Sequence, residues 1–139
     1  MKISILSFSI KGCILSDKIE VYLEEEGHSV FAYALEKFAA VAGKIPFQRL
    51  EVVTARIFYE TDAIIFIGSC ETAVRTITPF LRSKVVDPAV VVLDEEGTNV
   101  IALLSGQKVT ANELGYSLAD QLNANPVITS GSPIAGVFS

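Results

Sequence analysis

Ala63-Ile64-Ile65-Phe66-Ile67-Gly68-Ser69-Cys70-Glu71-Thr72 is the stretch on which the fold turns. Its first five residues carry no polar side chain, and a run this short and this apolar predicts a strand buried on both faces. Gly68 and Ser69 interrupt the strand, after which Val74, Ile77 and Leu81 recur at the spacing of one helix face. Pro79 implies a kink or an early finish to that helix. Residues 89–93, Ala-Val-Val-Val-Leu, form a second wholly apolar strand after the turn signal Asp87-Pro88.

Outward from this pair, strands keep alternating with helical patterns. Residues 2–8 read as a first strand, and Leu15, Ile19, Tyr22 and Leu23 as the inner face of a helix that Gly27 ends. Residues 28–33 read as a second strand. The Ala-rich stretch 34–44 is open between a short helix and a loop, and Pro46 suits the first turn of a helix whose face is Leu50, Val53, Thr54, Ile57 and Phe58. Asp94-Glu95-Glu96-Gly97 leaves too little chain for a crossover, so residues 100–104 should return antiparallel to residues 89–93. A last helix carries Ala111, Leu114, Leu118 and Leu122 inward, and residues 126–130 form a final strand. The expected fold is α/β and three-layered: a mostly parallel sheet with helices on both faces and one short antiparallel hairpin, residues 1–139 forming a single domain.

Composition narrows the function. The formal net charge is −5 with no basic block, which argues against generic nucleic-acid or anionic-membrane binding. No apolar run approaches the roughly 18 residues needed to span a bilayer. Residues 3–10 faintly resemble a signal peptide, but serines alternate with the apolar residues there, and a buried strand followed by Lys11-Gly12-Cys13 fits better. The expected location is the cytoplasm. Cys13 and Cys70 read as small reduced thiols, and two thiols with one imidazole, His28, do not make a zinc set.

Two strand–turn–helix junctions can present backbone N–H groups to a ligand: Gly68 to Thr72, and Ser105-Gly106-Gln107-Lys108-Val109-Thr110-Ala111-Asn112. Arg75, one turn into the first of these helices, would strengthen a carboxylate or phosphate site; it also suits a solvent-exposed helix position. Neither junction carries a dinucleotide or P-loop signature, and Gly68-Ser69-Cys70 lacks the G-x-S-x-G of a nucleophile elbow. Asp94, Glu95 and Glu96 suit a solvated turn better than a dry pocket.

From about Leu50 to Ser130 the chain resembles the N-terminal domain of the cobalt-precorrin-5A hydrolase family, CbiG. The resemblance rests on Tyr59, Asp62-Ala63, Ile65-Phe66-Ile67-Gly68, Val74-Arg75 and Pro79-Phe80-Leu81, then Lys84, Asp87-Pro88-Ala89-Val90-Val91-Val92, Asp94-Glu95 and Gly97. It continues through Val100-Ile101-Ala102-Leu103-Leu104-Ser105-Gly106, Ala111-Asn112-Glu113-Leu114 and Pro126-Val127-Ile128-Thr129. It implies a role in anaerobic cobalamin biosynthesis. Family members open the δ-lactone of cobalt-precorrin-5A with water, releasing acetaldehyde and leaving cobalt-precorrin-5B. The cobalt belongs to the substrate, so no cofactor of the protein's own is implied. Arg75 and Lys84 would then pair with substrate carboxylates, while Gly68, Ser105, Gly106 and Asn112 shape the pocket.

The departures are local. Gln107 stands where the family has a histidine, and an amide cannot shuttle protons. Val109 and Thr110 stand where the family has glycines. Glu95 and Glu113 are the carboxylates available as substitute bases. The family continues into middle and C-terminal domains beyond the point where this chain stops, so the expected partners are a polycarboxylate cobalt-precorrin and those domains on another chain. Two other roles stay open: a non-catalytic binder of corrinoid intermediates, and an α/β domain serving an unrelated ligand.

Overall fold

The computed structural model describes residues 1–106 and 109–130. Within them the chain runs β1 (Lys2–Ser7), α1 (Ile10–Glu25), β2 (Ser29–Leu35), α2 (Glu36–Ala42), β3 (Ile45–Phe47), α3 (Leu50–Ile57), β4 (Ala63–Ile67), α4 (Cys70–Ile77), a 3-10 turn (Thr78–Phe80), β5 (Ala89–Leu93), β6 (Asn99–Leu104), α5 (Ala111–Leu122) and β7 (Asn125–Val127). The strands form one sheet in the order β3-β2-β1-β4-β5-β6-β7. β1 to β5 pair parallel, β6 runs antiparallel to β5, and β7 is parallel to β6. The α/β sheet with one antiparallel hairpin is thus the one expected.

Alternation along the strands divides the core between two faces. Ile3, Ile5, Ile65, Val91 and Val100 pack against Leu15, Ile19 and Leu23 of α1 and Leu114 and Leu118 of α5. Leu6, Ile64, Phe66, Val90 and Val92 pack against Val53 and Ile57 of α3 and Ala73 and Ile77 of α4. All five residues of β4 and all five of β5 are buried, as their composition requires. Ser9, Ser69 and Thr110 cap α1, α4 and α5 by accepting from the backbone N–H of Gly12, Thr72 and Glu113.

Several elements differ from expectation. Pro46 lies in β3 rather than in a helix. That strand is the sheet's edge, where a missing N–H costs no ladder bond, and α3 starts only at Leu50. The ambiguous stretch resolves into an extension of β2 to Leu35 and the short α2, closed by Gly43 at φ 68°. Val74 and Leu81 are exposed; Ala73 and Ile77 form the inner face of α4. The helix stops at Ile77 because Pro79 cannot supply the next intrahelical donor, so Leu81 never joins it. β7 ends at Val127, short of the expected Ser130. The β5–β6 turn closes as expected, with the Asp94 carboxylate accepting from the N–H groups of Thr98 and Asn99.

Candidate functional site

The reversal at β6 separates the two junctions. Gly68 follows the carboxyl end of β4, beside the ends of β1 and β5. Leu104, the last residue of β6, pairs instead with Val90 at the start of β5. Ser105 and Gly106 therefore leave the sheet at the opposite edge, about 16 Å away along a five-residue strand. Lys84, Asn112 and Glu113 go with them: Lys84 lies in the loop that enters β5, and the other two open α5. Gly68 and Glu95 do not, and Arg75 lies between the two edges, in the last turn of α4.

At the carboxyl edge, β1 and β4 are the adjacent strands from which the chain winds in opposite directions, the usual place for a ligand crevice in such sheets. The Gly68 N–H donates to the Leu93 carbonyl at 2.8 Å, and a Cβ there would meet the Phe8 ring at 3.3 Å. Ser69 serves as a cap, its Oγ accepting from Thr72 N–H at 3.1 Å and donating to Thr72 Oγ1 at 2.9 Å. Arg75 projects from the outer face of α4 with its side chain 79% exposed. It faces Glu71 at 3.4 Å, along a groove of about 610 Å³ lined by Cys70, Glu71, Val74, Arg75, Thr78 and Pro79. Exposed pairs of this kind contribute about 0.2–1 kcal/mol. Arg75→Ala should accordingly shift a thermal melt by no more than a degree or two; a larger loss would make Arg75 a structural residue. Glu95 sits exposed in the β5–β6 turn, next to Glu96, which pairs with Lys11.

The amino edge is more closely built. Gly106 presses onto the backbone that enters β5: a Cβ at this position would lie 2.3 Å from Ala89 N and 2.6 Å from Pro88 C. Its N–H donates to the Val109 carbonyl at 3.2 Å. Val109 and Thr110 both have local tasks here. Val109 packs on the α1–α5 side of the core, and Thr110 caps α5, its Oγ1 accepting from Glu113 N–H at 3.1 Å. Thr110→Ala should cost about 1 kcal/mol, readable in a urea melt; no change would mean that water replaces the cap. Asn112 Nδ2 donates to Ser130 Oγ at 2.8 Å, tying the start of α5 to the segment after β7. Glu113 is exposed in the first turn of α5. Gln107 lies outside the described residues.

Sequence reasoning missed the anchoring of the Lys84 loop. Asp87, only 4% exposed, accepts the Arg82 backbone N–H with both carboxylate oxygens, at 3.0 and 3.2 Å. The Arg82 guanidinium lies 4.0 Å from the centre of the Tyr59 ring, whose hydroxyl donates to the Phe80 carbonyl at 2.5 Å. Nothing in local spacing signals a contact between residues 59 and 82.

The cysteines are free thiols, Cys13 buried and Cys70 partly so. Burial pushes the Cys13 thiol above its ordinary value, against the pull of nearby Lys44. Among the described residues no group of three or more His, Cys, Asp or Glu side chains could hold a metal ion, and no helix is long and apolar enough to cross a membrane.

A family model described as "Cobalamin synthesis G N-terminal" matches residues 52–132. The cobalt-precorrin-5A hydrolase of Salmonella typhimurium is 47% identical over 93 residues, 66% of this chain and 26% of that protein. The cobalt-precorrin-5A hydrolase of Priestia megaterium is 46% identical over 78 residues, 56% of this chain and 21% of that protein. The matches thus span about a quarter of these curated relatives. Among solved structures, a cobalamin biosynthesis protein G homologue from Sulfolobus solfataricus superposes with a TM-score of 0.72 at 29% identity, over 98% of this chain and 39% of that one. Because the family model covers more than half of the sequence, from α3 to beyond β7, this chain belongs to the cobalamin synthesis G N-terminal family.

Proposed function

We propose that this chain works in cobalamin biosynthesis as the N-terminal part of a cobalt-precorrin-5A hydrolase, binding the substrate along the amino edge of its sheet. One observation carries this: within the family match, Lys84, Ser105, Gly106 and Asn112 come from three separate segments and gather at that edge. A cobalt-precorrin carries many peripheral carboxylates. An acidic protein with a net charge of −5 can hold it only by local donors, here the Lys84 ammonium, the Ser105 hydroxyl and the first free N–H groups of α5. Gly68, at the carboxyl end of β4, lies outside this substrate edge.

Lactone opening needs an activated water and donors for the developing oxyanion. The start of α5 offers donors of the second kind. Gln107 can orient a water but cannot take its proton. Glu113, solvated at the helix start, is a weak candidate base, and so is Glu95 at the far edge. The curated relatives extend well beyond the matched region, and the proton-transferring group is assigned to that remainder of a full-length hydrolase. Cobalt enters with the substrate, and the protein brings no cofactor. The setting is the cytoplasm, with neither nucleic acid nor a membrane as partner.

The test is release of acetaldehyde from cobalt-precorrin-5A, followed with an alcohol-dehydrogenase coupled assay. This chain alone should give none, and turnover should appear once the middle and C-terminal domains of a relative are added. Gln107 favours a second role, a non-catalytic holder of the intermediate; binding without turnover in either condition would select it. Absence of both binding and turnover would overturn both.

A further inference from the structure

We propose that Arg82 is a substrate-binding residue, its guanidinium receiving one planar peripheral carboxylate of the corrinoid. The inference rests on the substrate edge assigned above and adds to it a residue not previously given a role. Arg82 lies two residues before Lys84, in the loop whose end, Asp87 to Ala89, forms the floor under Gly106. It therefore shares the edge with Ser105 and Asn112.

Three contacts hold Arg82 in place before any ligand arrives. The Asp87 carboxylate fixes its backbone through two hydrogen bonds, the guanidinium carbon lies over the Tyr59 ring at 4.0 Å from its centre, and the Tyr59 hydroxyl is itself held by the Phe80 carbonyl. Stacking leaves the in-plane N–H donors of a guanidinium free, in the fork that suits a carboxylate. Arg49 and Arg75 each pair with a glutamate, Glu51 and Glu71, whereas Arg82, like Arg56, forms no ion pair with a described carboxylate, and of the two only Arg82 lies against a ring at this edge. The acid in its own loop, Asp87, is buried and engaged with the backbone. A side chain already held against a ring, and without an ion pair to a described carboxylate, loses less entropy on binding, which favours strong recognition.

The purified full chain would be titrated calorimetrically with cobyrinic acid, a cobalt corrinoid bearing free peripheral carboxylates, and with its methyl ester. Arg82→Gln is expected to weaken acid binding roughly tenfold or more, to leave ester binding unchanged, and to leave the melting temperature within a degree or two. Arg82→Lys, which keeps the charge but loses the fork, should fall between. Equal acid affinity in Arg82→Gln and the unaltered chain would overturn the assignment to Arg82 while leaving the substrate edge intact. Equal weakening toward acid and ester would make Arg82 a structural residue only. Absence of acid binding by the unaltered chain would remove the substrate edge itself, and this assignment with it.

Discussion

Gly106→Ala is expected to destabilise the fold by about 2–4 kcal/mol, a fall in melting temperature on the order of 10 °C for a chain of this size. The added methyl would stand 2.3 Å from Ala89 N, 2.6 Å from Pro88 C and 2.9 Å from Asp87 O, all main-chain atoms. None can yield alone. Ala89 N–H donates to the Asp62 carbonyl at 3.0 Å, and Asp87 holds Arg82 through its carboxylate, so moving this backbone disturbs the entry to β5 and the Arg82 loop together. Gly68→Ala provides the control. There the methyl meets only the edge of the Phe8 ring at 3.3 Å, and a side chain can give by a few tenths of an ångström, so the cost should stay below about 1 kcal/mol. Parallel thermal melts compare the two directly. If both variants melt alike, the Ser105–Gly106 segment moves off β5 freely, and the glycine is needed there for something other than packing.

The contrast shows what the sequence made legible. Gly68 and Gly106 look alike locally, each a glycine between an apolar strand and a helix. Both strands were readable, and so was the reversal between them, from the shortness of Asp94-Glu95-Glu96-Gly97. Together these place Ser105 and Gly68 at opposite ends of the sheet, a consequence that inspecting each junction by itself does not reveal. Motif pattern identified the family through Leu103-Leu104-Ser105-Gly106 and Asp87-Pro88-Ala89, yet could not show that these two blocks touch. Long-range fits of this kind leave no periodicity: Arg82 on Tyr59, Gly106 on Ala89, and Asn112 with Ser130. Pro46 was misleading for a related reason. Proline suits both the first turn of a helix and an edge strand, and only the strand order shows that β3 has no outer neighbour.

The double variant Asp17→Asn/Glu20→Gln is expected to lose about 2–4 kcal/mol, most of it the cost of a buried ammonium left without carboxylates. Lys44 follows Gly43 and turns inward until its side chain is 2% exposed, ending on Asp17 and Glu20 of α1. Ser16 Oγ donates to Glu20 at 3.1 Å and helps hold the acceptor. The partners themselves stay wetter, Asp17 at 62% and Glu20 at 23% exposure, so removing the lysine strands no buried charge comparable to the one left by removing the acids. Lys44→Met should therefore cost less than the double variant. Burial by itself lowers the Lys44 pKa, but hydrogen bonds to Asp17 and Glu20 outweigh it and raise the group above its ordinary 10.5. With the folded value raised, the lysine's contribution is complete below the unfolded value and fades as pH rises through the folded one. In the double variant the carboxylate charges that oppose burial are gone and only neutral amide acceptors remain, so the folded value is expected to drop and the fade at high pH to shrink or reverse. Urea melts between about pH 8 and about pH 11 read both slopes. Equal slopes in the two proteins would mean that water reaches Lys44 in solution, and that the link between α1 and the start of β3 does not depend on its charge.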